Sequence, residues 1–200
     1  MTNDIWDNWN AGGGTKYPQE KVIQYCFRNF PADQRKNIRA LDLGCGSGVH
    51  TVFLASEGFQ VTGTDKSEIG IENTRRKLAD LGLQATLRVE SADKVDFPPD
   101  SFDLILCVGI YDSAGPAVAK ASVARVRQVL KVGGRGFFLF SSDRDSSVHG
   151  ENPWSFHGYT REEVEKLFSE GFGKVWIDRY ITTYENGRVE QNEWIVTVQR

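Results

Sequence analysis

From residue 38 the chain alternates short apolar runs with longer stretches in which apolar residues recur every three to four positions. "IRALDL" (38–43) runs into glycines and predicts a buried strand. "HTVFLASEG" predicts a helix ending at Gly58, and "QVTGTD" a second strand. In "SEIGIENTRRKLADLG", Ile71, Thr74, Leu78 and Leu81 share one helical face and Gly82 supplies the stop. "ATLRVES" is a third strand. "FDLILCVG" is a fourth, apolar enough to be covered on both faces. Ala119, Val123, Val126 and Leu130 stripe the next helix, and "VGGRGFFLFSS" turns into a fifth strand.

Thr160 and Glu163 in "TREE" form a capping box for a last helix carrying Val164, Leu167 and Phe168. The pattern then changes to "KVWIDRYITTY" and "EQNEWIVTVQR" flanking "ENGR", whose Asn-Gly pair signals a hairpin. Strand–helix alternation closed by a hairpin predicts an α/β fold. Its seven-stranded, mostly parallel sheet ends in an antiparallel hairpin strand. Residues 1–34, with a helix opening at Pro18, read as a helical lead-in capping the active site, and residues 35–200 as the main domain. "SSDRDSSVHGENPWSFHGYT" is an insertion of unusual length, and such loops commonly serve function.

Composition narrows the partners. With 24 Lys+Arg against 27 Asp+Glu the net charge is −3, and no dense basic block marks a nucleic-acid surface. The longest apolar run, "LILCVGIY", is too short to span a bilayer, so no membrane partner is expected. Cys26, Cys45 and Cys107 form no CxxC pair, which suits reduced thiols in a cytoplasmic protein.

The chemistry turns on "LDLGCGSG" (41–48), beyond the carboxyl end of the first strand, where open parallel sheets bind ligands. A phosphate-binding P-loop needs Lys and Ser/Thr after its last glycine, but Val49 and His50 follow Gly48. A dinucleotide turn wants its third glycine at position 49, where Val49 stands. Asp65, ending the second strand, suits a ribose in either scheme. Asp42 discriminates, because a carboxylate beside this loop suits a ligand carrying positive charge. S-adenosylmethionine has an ammonium, a sulfonium and no phosphate, and glycines let the backbone approach it closely.

"LDLGCGSG", the "GTD" ending strand two, "ESAD" after strand three and "FDLILCVG" on strand four together resemble the class I S-adenosylmethionine-dependent methyltransferases, over roughly residues 35–200. The resemblance implies a Rossmann-like three-layer sandwich in which Gly44, Cys45, Gly46 and Gly48 form the cofactor loop, with Asp42 at its polar end. It implies that Asp65 holds the ribose hydroxyls with Lys66 beside it, and that Asp93 and Ala92 contact adenine. Cys107 and Gly109 would flank the methionine arm. One departure is Val132, where the family commonly has proline. A nicotinamide-dependent oxidoreductase on a similar sheet, or a non-catalytic S-adenosylmethionine-binding protein, are the alternatives.

The acceptor side is read from absences and aromatics. No Asn/Asp-Pro-Pro-aromatic tetrapeptide follows strand four, and no recognition domain is added. A small-molecule acceptor is therefore expected, with no nucleic acid, for a monomer or homodimer. Trp6, Tyr17, Tyr111 and Trp154 are candidate substrate-binding residues. His157, His149 and Asp112 are candidate bases, needed where the acceptor must lose a proton. His50 is expected to pack or face solvent. Asp112 with Asp143 or Asp145 could offer oxygen ligands, but a compact Asp-Asn pair is missing and no metal is expected.

Overall fold

A computed structural model of the protein describes residues 5–149 and 156–200. The apolar runs become β1 (Arg39–Leu43), β2 (Gln60–Asp65), β3 (Thr86–Val89), β4 (Phe102–Val108), β5 (Leu130–Ser141), β6 (Lys174–Tyr184) and β7 (Val189–Gln199). They form one sheet of order β3-β2-β1-β4-β5-β7-β6, parallel except for β7, which runs antiparallel to β5 and β6. The expected seven-stranded α/β sandwich with its terminal hairpin is the observed one.

The helices are α1 (Ile5–Ala11), α2 (Glu20–Asn29), α3 (Val49–Ser56), α4 (Glu68–Asp80), α5 (Tyr111–Ala114), α6 (Pro116–Val129) and α7 (Arg161–Leu167). Strand alternation sends β1 and β4 side chains to two cores. On one face Ala40, Leu104 and Leu106 meet Val22 and Cys26 of α2, Phe30 just after it and Leu54 of α3. On the other, Leu41, Ile105 and Cys107 meet Ala119, Val123 and Val126 of α6 and Val164 of α7. Thus α2, within the expected lead-in, is part of a helical layer of the sandwich.

Local signals account for the ends. Ser67 caps α4 by accepting from Gly70 N–H at 3.0 Å, and Thr160 and Glu163 make the reciprocal capping box of α7. Helix α2 begins at Glu20, two residues after Pro18, with Gln19 as its N-cap. The hairpin closes through Glu185, Asn186 and Gly187, all at positive φ, rather than through a two-residue turn. From β1 the chain winds outward to β3 and returns to β4 on β1's other side. That reversal opens a crevice at the strands' carboxyl ends between β1 and β4.

Candidate active site

A cavity of about 890 Å³ occupies this crevice. Its floor comes from four strand ends: residues 44–47 after β1, Asp65 and Lys66, residues 90–92 after β3, and residues 108–110. Gly44, at φ +78°, packs where the loops after β1 and β4 touch. A Cβ there would lie 2.1 Å from Ile110 Cδ1 and 2.3 Å from Cγ1. Only a residue lacking a side chain lets these loops meet in this way.

Asp65 organises the glycine turn. Its Oδ2 accepts from Gly46 N–H and its Oδ1 from Ser67 N–H, both at 2.8 Å. The carboxylate is buried and still borders the cavity. Glu90, just after β3, borders the cavity and accepts from Arg88 and from Asp96 N–H through Oε1, while its Oε2 is buried with no hydrogen-bond partner among the described residues. Two carboxylates at adjacent strand ends thus border a space that Ala92 and Ile110 flank with apolar surface. A ligand with vicinal hydroxyls and a flat ring fits that set.

The N-terminal segment forms the opposite wall through Trp6, Trp9, Asn10, Tyr17 and Gln19. It is tied down at several points. Ser47 Oγ donates to Asn10 Oδ1 at 2.8 Å, Asn73 Nδ2 donates to Asn10 O at 2.6 Å, and Lys77 Nζ reaches Gly13 O at 3.0 Å. Gln19 N–H donates to His50 Nε2 at 3.2 Å. Burial depresses the His50 imidazole to about 4, so it is neutral at pH 7 and keeps this acceptor nitrogen.

The far end lies beyond β5 and β7. Asp112 Oδ2 accepts from Ser141 N–H and Oγ, each at 2.9 Å, and Oδ1 accepts from Ser113 N–H at 2.9 Å. Burial raises the Asp112 carboxyl above its ordinary range. Asp145 accepts from Ser147 N–H and Oγ and from Asn192 N–H, fastening the insertion to β7. Glu193 stands opposite Ser141 in the β5–β7 register and accepts from Gln191 Nε2 at 2.9 Å. Burial, with Asp112 and Asp145 nearby, pushes its carboxyl up to about 7.

Of the residues singled out from the sequence, Gly44, Cys45, Gly46, Asp65, Lys66, Ala92 and Gly109 border the cavity, as do Trp6, Tyr17 and Asp112. Others do not. Asp42 is 1% exposed on the α3 side of β1, where it accepts from Thr51 Oγ1 at 2.6 Å. Gly48 starts α3, and a Cβ there would strike Thr74 at 2.5 Å, so it serves helix packing. Asp93 turns back to accept from Ser91 Oγ. Cys107 and Tyr111 face the α6–α7 core, where Tyr111 stacks on Phe138. The cavity-side neighbours are Val108 and Asp112, one residue along the chain in each case.

His149 is exposed and its Nε2 meets Asp143 O at 2.8 Å; His157 Nε2 lies 3.3 Å from Glu163 Oε1, with its ring against Tyr159. Neither histidine borders the cavity. Trp154 lies outside the described residues. His50, expected to pack or face solvent, is buried and also borders the cavity, and Glu90, Ser141 and Glu193 join it unforeseen. His50, two residues after the glycine loop, and Glu90, in "ESAD", had a local signal. Among the described residues no group of three His, Cys, Asp or Glu side chains suits a metal ion, and no helix is long and apolar enough to cross a membrane.

A family model described as a methyltransferase domain matches residues 40–134. Thiopurine S-methyltransferase of Bordetella petrii is 30% identical over 90% of this chain and 87% of its own length. Ubiquinone biosynthesis O-methyltransferase of Idiomarina loihiensis is 32% identical over 65% of the chain, which spans only 54% of that relative. In fold, the chain resembles magnesium protoporphyrin IX methyltransferase of Synechocystis PCC 6803, solved with bound S-adenosylhomocysteine. The TM-score is 0.73 at 14% identity, covering 98% of this chain and 94% of that one.

Proposed function

The chain belongs to the class I S-adenosylmethionine-dependent methyltransferases, and on that premise we propose that it methylates the sulfur of a small aromatic or heteroaromatic thiol. Membership sets aside the nicotinamide-oxidoreductase and non-catalytic alternatives. S-adenosylmethionine supplies a methyl group already activated on a sulfonium. The protein's share of the work is then to bind, orient and exclude water.

In this proposal the floor of the cavity is the donor side. Asp65 and Glu90 present acceptors to the ribose, and Ala92 and Ile110 flank the adenine. The backbone of residues 44–46 approaches the methionine arm, with Gly109 across from it. Asp42, bonded to Thr51, acts indirectly by holding β1 to α3. Residues 5–19 cap the site, and Trp6, Trp9, Tyr17 and Phe156 offer flat surfaces against which an aromatic acceptor packs.

The observation that carries the thiol reading is the relative named for S-methylation, which aligns with nine-tenths of the chain. The O-methyltransferase relative aligns with two-thirds and favours a phenolic hydroxyl as the second reading. A cytoplasmic site of action is part of the proposal, supported by three buried free cysteines. So is a small-molecule acceptor rather than a nucleic acid, since the far end of the cavity is lined by carboxylates that would repel a polyanion.

The test is calorimetric titration with S-adenosylmethionine and S-adenosylhomocysteine, followed by mass-spectrometric detection of methyl transfer to matched aromatic thiols and phenols. Transfer to thiols is expected. Transfer to phenols with none to thiols would replace the first reading by the second.

A further inference from the structure

Apart from the neutral His50, seven acidic or basic side chains border the cavity among the described residues: Asp65, Glu90, Asp112, Asp145, Glu190 and Glu193 against Lys66. Lys66 follows β2, on the donor side. The acceptor end therefore carries carboxylates without a lining cation. Those carboxylates are not equivalent. Asp112 accepts three hydrogen bonds and Asp145 three, all from the protein, so most of their acceptor capacity goes to holding α5 and the insertion in place. Glu190 and Glu193 each accept from one donor among the described residues, Asn192 Nδ2 and Gln191 Nε2, and keep acceptor capacity; of the two, Glu193 is the one in register with Ser141 of β5.

The position of Glu193 follows from strand order. Ser141 on β5 lies beside it on one flank and Tyr180 on β6 on the other, in register on the same face. Beyond Ser141 stands Asp112, while Lys21 of α2 sits over the Tyr180 ring at 4.8 Å and does not border the cavity. Asp145 faces Glu193 from the insertion. An anionic molecule entering here meets these carboxyl groups, and a hydrogen-bond donor or cation meets Glu193 with most of its lone pairs unused.

We propose that Glu193 reads the methyl acceptor: its carboxyl group accepts a hydrogen bond from a donor or cationic group on the acceptor and excludes acceptors bearing a carboxylate, phosphate or sulfonate. The natural acceptor is thus an uncharged or cationic aromatic thiol. This rests on the methyltransferase reading of the cavity and narrows its substrate class.

Three probes of one shape test it: benzyl mercaptan, its para-aminomethyl analogue and its para-carboxylate analogue. Each is titrated calorimetrically into protein saturated with S-adenosylhomocysteine, so that no turnover occurs. At pH 8 the ammonium probe is expected to bind at least about tenfold more tightly than the carboxylate probe. The preference should shrink toward pH 6 as Glu193 takes up a proton. In Glu193→Gln it should fall to within about threefold and lose its pH dependence, whereas Glu193→Asp should keep its sign. Melting curves and S-adenosylhomocysteine titration check that each variant is folded.

Equal binding of the charged probes to the wild-type protein would overturn the proposal. So would an unchanged preference in Glu193→Gln, or failure of all three probes to bind the loaded protein. Failure of S-adenosylhomocysteine itself to bind is a separate result that would overturn the reading of the cavity, and this inference with it.

Discussion

Gly44→Ala isolates one structural demand of the site, the contact between the loops after β1 and β4. Two costs are separable. Placing a Cβ at φ +78° strains the backbone by about 1–2 kcal/mol. The same Cβ lies 2.1 Å from Ile110 Cδ1, and relieving that overlap costs about 1–3 kcal/mol more. The expected loss is about 2–5 kcal/mol in urea unfolding, with weaker S-adenosylhomocysteine binding because the loop shifts. Ile110→Ala removes the overlapping atoms but leaves the backbone strain. In the Gly44→Ala/Ile110→Ala pair, the clash component should therefore disappear, giving a favourable coupling of about 1–3 kcal/mol in a double-mutant cycle. Additivity of the two single changes within about 0.5 kcal/mol would refute the argument that the glycine is required by Ile110.

Other outcomes follow from neighbouring contacts. Asp65→Asn leaves one acceptor oxygen for two backbone donors and turns an amide N–H₂ toward one of them, so S-adenosylhomocysteine affinity should fall about 10- to 100-fold by calorimetry. Unchanged affinity would remove Asp65 from the site. His50 is depressed from 6.5 to about 4, so the unfolded chain binds the extra proton between those values. Its contribution is full above about pH 6.5 and declines as pH falls toward 4, by about 3 kcal/mol in total. Unfolding free energies from pH 7 to 4 should accordingly fall less steeply in His50→Gln, and parallel curves would contradict the assignment. His157→Ala should retain methyl transfer to within about threefold, because its ring meets Glu163 and Tyr159 rather than the cavity. A loss of two orders of magnitude would return it to the chemistry.

The pattern of misplacements along the chain is itself physical. Cys107 was expected on the methionine arm, and Val108 is the cavity neighbour. Tyr111 was expected to touch substrate, and Asp112 does the bordering. In β4 the cause is a side-chain period of two, which sends adjacent residues to opposite cores, and the short helix α5 similarly turns the Tyr111 ring inward. Asp42 went the same way, onto α3 and Thr51. A run such as "FDLILCVG" is apolar on both faces and carries no signal for which face meets the ligand.

What the sequence alone determined is local: the alternation of strand and helix, the capping box of α7, the hairpin, and a glycine turn followed by an acidic strand end at Asp65. These depend on a few consecutive residues, whose backbone preferences and polarity period are legible without knowing their neighbours. Only the tertiary structure decided which partners stand across the cavity. Glu193 lies 128 positions beyond Asp65 in the numbering and reaches the site because β7 inserts between β5 and β6 and sets it beside Ser141. The face each strand presents and the register of β7 on β5 are chosen by the packing of two cores, a collective energy that no short stretch of chain contains.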